Sequence, residues 1–403
     1  MKDMKLNVGA GVNQSGLRDF NERLLLTMIQ KLGPRPGSEL ARQANLSAQT
    51  VSVILRGLEQ EGLVRKGEPM RGRVGKPSVP IALNPDGAYS FGLKIGRRSS
   101  EVALVDLMGN IRAQERLKYP YPLPDRIFGF LKDCIAQMTA DMAPAQIDRI
   151  GGIGVATPFQ IWEWRESLDA PAKEFEAWID LDFATEIERF SHLPVHVVND
   201  ATAACHAENA VGAGRDLSDF VHFFVGTFIG GGIVLNRAVY EGSFGNAGAL
   251  GSIPSMGADG ESRQLLHTAS LFLLEKEIAA KGADPRALYR DLNDWSEHAA
   301  EVDAWVDRAG AEIGAAVLSA CAIIDFPHVV IDGAFPRTVR AALVDRVAAE
   351  LAKLDSRGLI VPKVHAGKVG PNARVKGAAF GPLQAQHFLQ QSPFSPAFPY
   401  ATA

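Results

Sequence analysis

Cysteine is scarce: Cys134, Cys205 and Cys321 are the only three in 403 residues, and they lie far apart. That spacing excludes a disulfide framework and a Cys-x-x-Cys metal knuckle, and predicts buried free thiols. No apolar run is long enough to span a bilayer, and no succession of basic, apolar and small residues marks a signal peptide. A cytoplasmic protein without a membrane partner is therefore expected. The chain also lacks a cationic excess, since 42 Lys and Arg stand against 46 Asp and Glu for a net charge of −4. At 46% hydrophobic and 22% charged residues it is neither disordered nor fibrous, and it is long enough for two or three domains.

The overall charge hides an asymmetry. Residues 1–80 hold 13 Lys and Arg against 7 Asp and Glu, whereas the remainder holds 29 against 39. Neutralising DNA phosphates needs cations on the contact face only, so a basic N-terminal segment ahead of an acidic remainder fits a DNA reader. The run from Leu40 to Ser52 has the outline of two short helices joined by a tight turn at Asn45. Ser47 is a good N-cap for a helix from Ala48 to about Gln60, with Val51, Ile54, Leu55 and Leu58 on one face. The opposite face presents Gln49, Thr50, Ser52 and Arg56 to a partner, and in such a motif the second helix enters the major groove.

Upstream, Asn21–Leu32 carries Leu24, Leu25, Met28, Ile29 and Leu32 at helical spacing, with Asn21 as its cap, and should form a supporting helix. Gly33-Pro34-Arg35-Pro36-Gly37 breaks the chain, and Ser38 can cap a short helix over Glu39–Ala44. Gly62 ends the second helix of the motif, Leu63-Val64 reads as a strand, and Val79–Leu83 reads as another. Between them lies a turn-rich loop. Helices followed by a two-stranded hairpin make a winged helix-turn-helix. The wing is cationic at Arg65, Lys66, Arg71, Arg73 and Lys76 and has no aromatic residue to stack on bases, so it suits a duplex backbone. Arg71-Gly72-Arg73 is suited to enter a minor groove.

The rest alternates strands and helices. Tyr89–Ile95, Glu101–Asp106 and a run starting at Asn110 read as a β-meander, and Ile150–Val155 and Val195–Val198 as further strands around a helical segment Asp182–Ser191. Phe220–Val225, Gly230–Leu235 and Ala238–Tyr240 form a second meander. Val302–Phe326 reads as a long amphipathic helix before the strand Val329–Asp332. Two meanders separated by strand and helix segments predict two similar α/β lobes.

Particular segments carry a family resemblance over nearly the whole chain. Gly75-Lys76-Pro77, Val198-Asn199-Asp200-Ala201-Thr202-Ala203-Ala204, Gly226-Thr227-Phe228-Ile229-Gly230-Gly231-Gly232-Ile233, Glu241–Gly248 and Val375-Lys376-Gly377-Ala378-Ala379 resemble the ROK family of repressors, open reading frames and sugar kinases. The resemblance implies an α/β chain with an N-terminal winged helix-turn-helix over residues 1–84. It also implies a two-lobed actin-like, RNase H-like sugar-kinase fold, with lobes over 85–200 and 201–403 and a C-terminal helix that can return to the first lobe. Asp200 stands where the family's general base stands, Asn199 where the sugar is held, and Gly230 and Gly231 on the second phosphate loop.

The kinase stations depart from the family pattern. Its first phosphate loop, Asp-x-Gly-Gly-Thr, is here Lys94-Ile95-Gly96-Arg97-Arg98, and Phe228 replaces a glycine of the second loop. Mg²⁺ prefers oxygen ligands and loses one to the lysine. The family's Glu-x-Gly-His is here Ala249-Leu250-Gly251-Ser252, and Pro254–Glu275 has no cysteine for the usual zinc knuckle. The lone His267 is expected to be an ordinary helix residue, since zinc needs about four ligands. No metal, cofactor or working catalytic residue is therefore expected, Asp200 being vestigial. The expectation is a sequence-specific transcriptional regulator, a repressor of carbohydrate-related genes. Its partners are a double-stranded operator, a sugar or sugar-derivative effector, and a second copy in a homodimer or higher homo-oligomer. The alternatives are an active ATP-dependent sugar kinase with an appended DNA reader, and a scaffold regulated by a protein partner.

Overall fold

The computed structural model describes residues 14–68, 79–159, 161, 175–257 and 260–389. The described residues divide into two compact units, one up to Gly87 together with Gln384–Leu389, the other Ala88–Leu383.

In the first unit α1 spans Gln14–Leu32, α2 Gly37–Ala44 and α3 Ala48–Gln60. The strands β1 (Arg35–Pro36), β2 (Val64–Lys66) and β3 (Pro80–Leu83) form a sheet in the order β1-β3-β2. This is a winged helix-turn-helix. Leu24, Leu25, Met28, Leu40, Val51, Ile54 and Leu58 are buried. Two expected boundaries are corrected. Asn21 lies inside α1, which runs on past it toward the N-terminus, where Arg18 pairs with Glu22 one turn later at 2.8 Å. Ser38 lies inside α2; the N-cap is Pro36, which is extended as a residue of β1 and has no side-chain acceptor with which to cap the helix. The segment Gln384–Leu389 belongs to this unit, with the Leu389 N–H donating to Thr27 Oγ1 at 2.8 Å.

The second unit holds two five-stranded sheets of identical order. In the first lobe β4 (Tyr89–Ile95), β5 (Ser99–Asp106), β6 (Ile111–Lys118), β7 (Ile150–Thr157) and β8 (Val195–Asn199) run β6-β5-β4-β7-β8. In the second, β9 (Phe220–Val225), β10 (Ile229–Leu235), β11 (Ala238–Tyr240), β14 (His328–Gly333) and β15 (Lys363–Ala366) run β11-β10-β9-β14-β15. The strands β12 (Pro254–Met256) and β13 (Ser262–Gln264) pair separately. Each five-stranded sheet is an antiparallel meander extended by two parallel strands. The second unit's described α-helices of six or more residues are α4 (Pro124–Thr139), α5 (Phe183–Glu188), α6 (Asp200–Val211), α7 (Leu271–Ala280), α8 (Ala299–Ile323), α9 (Arg337–Leu351) and α10 (Ala373–His387), the last turn of which reaches into the first unit.

Two helical expectations shift. The segment expected over Asp182–Ser191 is the six-residue α5 with Asp182 as its cap, and the helix expected over Val302–Phe326 is α8, which starts three residues earlier and stops at Ile323. Ile324 is extended, so the chain leaves the helix before Pro327. The first lobe's core gathers Phe91, Leu93, Ile127, Leu131, Ile153 and Trp178. That of the second gathers Phe223, Leu274, Trp305, Ile313, Ile331 and Leu343. The helix α10 lies against the first-lobe sheet, where a Cβ at Gly154 would sit 1.8 Å from the Ala378 carbonyl oxygen. Only glycine permits that approach. The three cysteines are buried free thiols. No described helix is long and apolar enough to cross a membrane.

Candidate nucleic-acid interface and effector cavity

The reader face is built by local chemistry. Asn45 adopts the left-handed conformation at φ 54° and ends α2, as a tight turn requires. Ser47 Oγ then accepts the Thr50 N–H at 3.0 Å and starts α3. Val51, Ile54, Leu55 and Leu58 face the core, while Gln49, Ser52 and Arg56 are exposed. Thr50 is half-buried, its hydroxyl 2.8 Å from that of Ser47. One residue on this face escaped the sequence reading. Val53 is 56% exposed and lies one turn from both Gln49 and Arg56; the helical period alone would have placed it there. Arg65 and Lys66 on β2 are exposed, and Lys66 Nζ pairs with Glu59 at 2.7 Å. Arg71, Arg73 and Lys76, with Gly75 and Pro77, lie outside the described residues.

The second unit encloses a cavity of about 1390 Å³ lined from both lobes. The segments expected to form a kinase site converge on it. Lys94, Arg97 and Arg98 line it from the first lobe, and Thr227, Phe228, Gly230, Gly231, Ala249 and Ser252 from the second. Asn199 and Asp200 line it at the start of α6, where Asn199 Oδ1 accepts the N–H groups of Ala201 and Thr202 at 3.0 and 3.3 Å. Gly230 makes room for α6, since a Cβ there would fall 2.7 Å from Ala201 Cβ, and Gly231 for the neighbouring strand, 2.1 Å from the His222 carbonyl oxygen. His267 lies in the short helix Leu266–Ala269, and no group of three or more metal-ligating side chains exists among the described residues.

Asp200 Oδ2 accepts from Arg374 Nη1 at 3.1 Å, and the Arg374 guanidinium lies over the Phe224 ring at 5.2 Å. One oxygen of this carboxylate is thus engaged by a cation. Lys94 is almost fully buried, with its Nζ 3.4 Å from Glu101 Oε1, and Arg116 Nη2 reaches the same carboxylate oxygen at 2.9 Å. Burial, with Arg374 next, pushes Lys94 down to about 8 although Glu101 opposes it. Burial pushes the Glu101 carboxyl up, but Lys94, Arg116 and Arg374 outweigh burial and hold it below the ordinary glutamate value. Arg97 stacks over the Phe228 ring at 5.5 Å, so the aromatic residue in the second loop meets an arginine of the first. Arg98 Nη1 lies 3.5 Å from Glu275 Oε2, and the Tyr289 hydroxyl donates to the other Glu275 oxygen. Glu101, Arg116, Glu275, Tyr289 and Arg374 were not singled out from sequence. Glu101 alone left a signal, a charge next to the apolar run Val102–Val105 of its strand.

The family model for ROK proteins matches residues 90–381, which is most of the chain. The chain belongs to the ROK family. A second model, for the MarR family, matches residues 21–68, which contain the helix-turn-helix of this ROK protein. An uncharacterized protein, y4fQ of Sinorhizobium fredii, is 27% identical over 90% of this chain and 91% of its own. The xylose repressor of Bacillus subtilis is 26% identical over 59% of this chain and 61% of its own length. The DNA-binding transcriptional dual regulator NagC of Escherichia coli is 26% identical over 59% and 58%. The chain thus matches about three fifths of these two regulators. Among solved structures, a ROK family transcriptional regulator described as a homologue of the Escherichia coli MLC protein superposes with a TM-score of 0.65. It is 22% identical and covers 92% of this chain and 97% of its own. A ROK family glucokinase from Streptomyces griseus superposes with a TM-score of 0.55 at 19% identity, covering 73% and 98%. Regulator and kinase share the fold, so the side chains must separate the activities.

Proposed function

We propose that this ROK protein is a sequence-specific DNA-binding transcriptional repressor of carbohydrate-related genes, whose second unit senses a small effector without transferring phosphate. The observation that carries the reading is the exposed face of α3, where Gln49, Ser52, Val53 and Arg56 stand clear of a buried apolar face. Arginine suits guanine, glutamine suits adenine, and the Val53 methyls suit the thymine methyl group. Similarity to a xylose repressor and to NagC supports the repressor role and the sugar class of effector. The ion pair of Asp200 with Arg374, together with Lys94 in the first phosphate loop, supports loss of phosphotransfer. The effector would favour one arrangement of the two lobes and so alter the spacing of two recognition helices in a homodimer, which requires different affinities for the two arrangements.

Genome-wide mapping of bound sites followed by gel shifts on one such operator tests the reader. Arg56→Ala or Gln49→Ala is expected to cost about 1–3 kcal/mol on the operator and little on unrelated DNA. Lys66→Ala should weaken both alike and lower the salt slope by about 1. Unchanged binding for all three removes α3 and the wing as the contact face. Incubation with ATP, Mg²⁺ and a sugar panel tests the other half: appreciable sugar phosphate would establish the kinase reading, which Asn199, Asp200, Gly226 and Thr227 favour.

A further inference from the structure

The side chains lining the cavity carry a surplus of positive charge. Eight are Lys or Arg and three are Asp or Glu. Each of the three carboxylates is already engaged: Asp284 by Arg286 and Arg290, Asp200 by Arg374, and Glu101 by both Lys94 and Arg116. One buried carboxylate thus serves two cations, the buried Lys94 and the exposed Arg116. A buried cation without its own counter-charge is costly, and a site that keeps one is prepared for an anion. The backbone makes room for it: a Cβ at residue 96 would lie 2.6 Å from Lys94 Nζ, so Gly96 lets the ammonium turn into the loop. Nearby, Arg374 Nε is buried and has no hydrogen-bond partner, although the other end of the guanidinium reaches Asp200. A divalent cation would meet only carboxylates that already face ammonium or guanidinium groups, whereas an anion would complete the charge balance.

We propose that the cavity binds a small anionic metabolite, a sugar acid or a sugar phosphate, whose carboxylate or phosphate is held by Lys94 and Arg374 without a divalent metal. The inference rests on the sensor role proposed above and assigns the charge class of the effector. Asn199, Thr227, Ser252 and Gln264 line the same cavity and supply neutral groups for the sugar hydroxyls. The anion replaces Mg²⁺-bound nucleotide phosphate as the species that neutralises the first phosphate loop.

The test uses the full chain in EDTA. Thermal shift and titration calorimetry are run with D-glucose and D-xylose, with D-glucuronate, D-gluconate and D-xylonate, with the sugars' phosphate esters, and with inorganic phosphate and sulfate. At least one acid or ester is expected to bind about tenfold or more tightly than its neutral parent, and whether acids or esters do so identifies the source of the anion. Lys94→Met and Arg374→Met should each weaken that binding by about tenfold or more, and Arg374→Lys should recover part of it. A variant that fails to fold leaves a second readout on the wild type. Binding near pH 8 should take up protons, measured as a dependence of the heat on buffer ionisation, because the anion counteracts the burial, Arg374 and Arg116 that lower Lys94, alongside Glu101 and Asp200. Neutral sugars binding as tightly as their acids and esters, a requirement for Mg²⁺, no proton uptake, or no binding by any member of the panel overturns the proposal. An operator gel shift on the same preparation separates the two readings. An intact DNA complex without anion binding refutes only the charge class, while a missing DNA complex strikes the sensor role beneath it.

Discussion

The first lobe sets a buried lysine and an exposed arginine on one buried carboxylate, and the second buries two carboxylates, one of them paired with a buried arginine, on the same strand order. In the first, Lys94 and Arg116 converge on Glu101. In the second, Glu208 accepts the N–H groups of Lys368, Val369 and Ala213 at 2.6–2.7 Å, while Asp332 accepts that of Gly370 at 2.7 Å and faces Arg340 at 2.8 Å. Burial, with Glu208 next, pushes Asp332 up to about 7 despite Arg340. The strand order therefore leaves the sign of the buried charge open; individual side chains decide it. Only the cationic cluster lines the cavity, whereas the acidic pair joins α6, β14 and the loop before α10.

Removing the single carboxylate of the first lobe should have the largest effect. Glu101→Gln leaves Lys94, Arg116 and Arg374 facing one another and is expected to cost about 3–5 kcal/mol in urea unfolding. A cost under about 1 kcal/mol would mean that the cations do not depend on Glu101, and the contrast between the lobes would fail. The glycines give the next contrast. Gly154→Ala meets the backbone of α10 and should cost about 3 kcal/mol, while Gly230→Ala meets a side-chain methyl on α6 and should cost about 1 kcal/mol. Equal costs would show that α10 is free to shift. Asn199→Ala removes the cap of α6 for about 1 kcal/mol.

The acidic pair makes an opposite-signed prediction for pH. The folded Asp332 holds its proton up to about 7, whereas the ordinary value is 3.8, so the native state binds more protons between these limits. Its contribution to stability is present below about pH 4 and is lost as pH rises through 7. Asp332→Asn should flatten that decline when unfolding free energy is compared from pH 4 to 8. An unaltered slope places the proton elsewhere. Lys94 responds in the other direction. Its lowered value disfavours the native state below about 8, and that penalty is relieved as pH rises toward the ordinary lysine value.

Sequence periodicity was enough for the strands that are apolar and bounded by turns. Tyr89–Ile95, Phe220–Val225 and Ala238–Tyr240 fall where their patterns put them. The helix α4 was legible but not read, since Ile127, Phe128, Leu131 and Cys134 recur at helical spacing after Pro124, whereas β15 carries little pattern in its four half-exposed residues. In the site, Lys94, Arg97, Arg98, Asn199 and Asp200 were legible as departures from, or matches to, family motifs. Arg374 was not, since its partner Asp200 lies 174 residues earlier and no local spacing records that pairing.

By itself the sequence determined the two α/β lobes, the helix-turn-helix with its capped α3, and the loss of the acid, histidine and cysteines of the sugar and zinc stations. These are local facts, written in caps, turns, apolar periods and single side chains. Only the tertiary structure decided that Lys94 shares Glu101 with Arg116, that Asp200 is tied to Arg374, and that these groups line one cavity. Buried charge is settled by which elements meet across the fold, and its energy depends on burial and on partners distant in the chain.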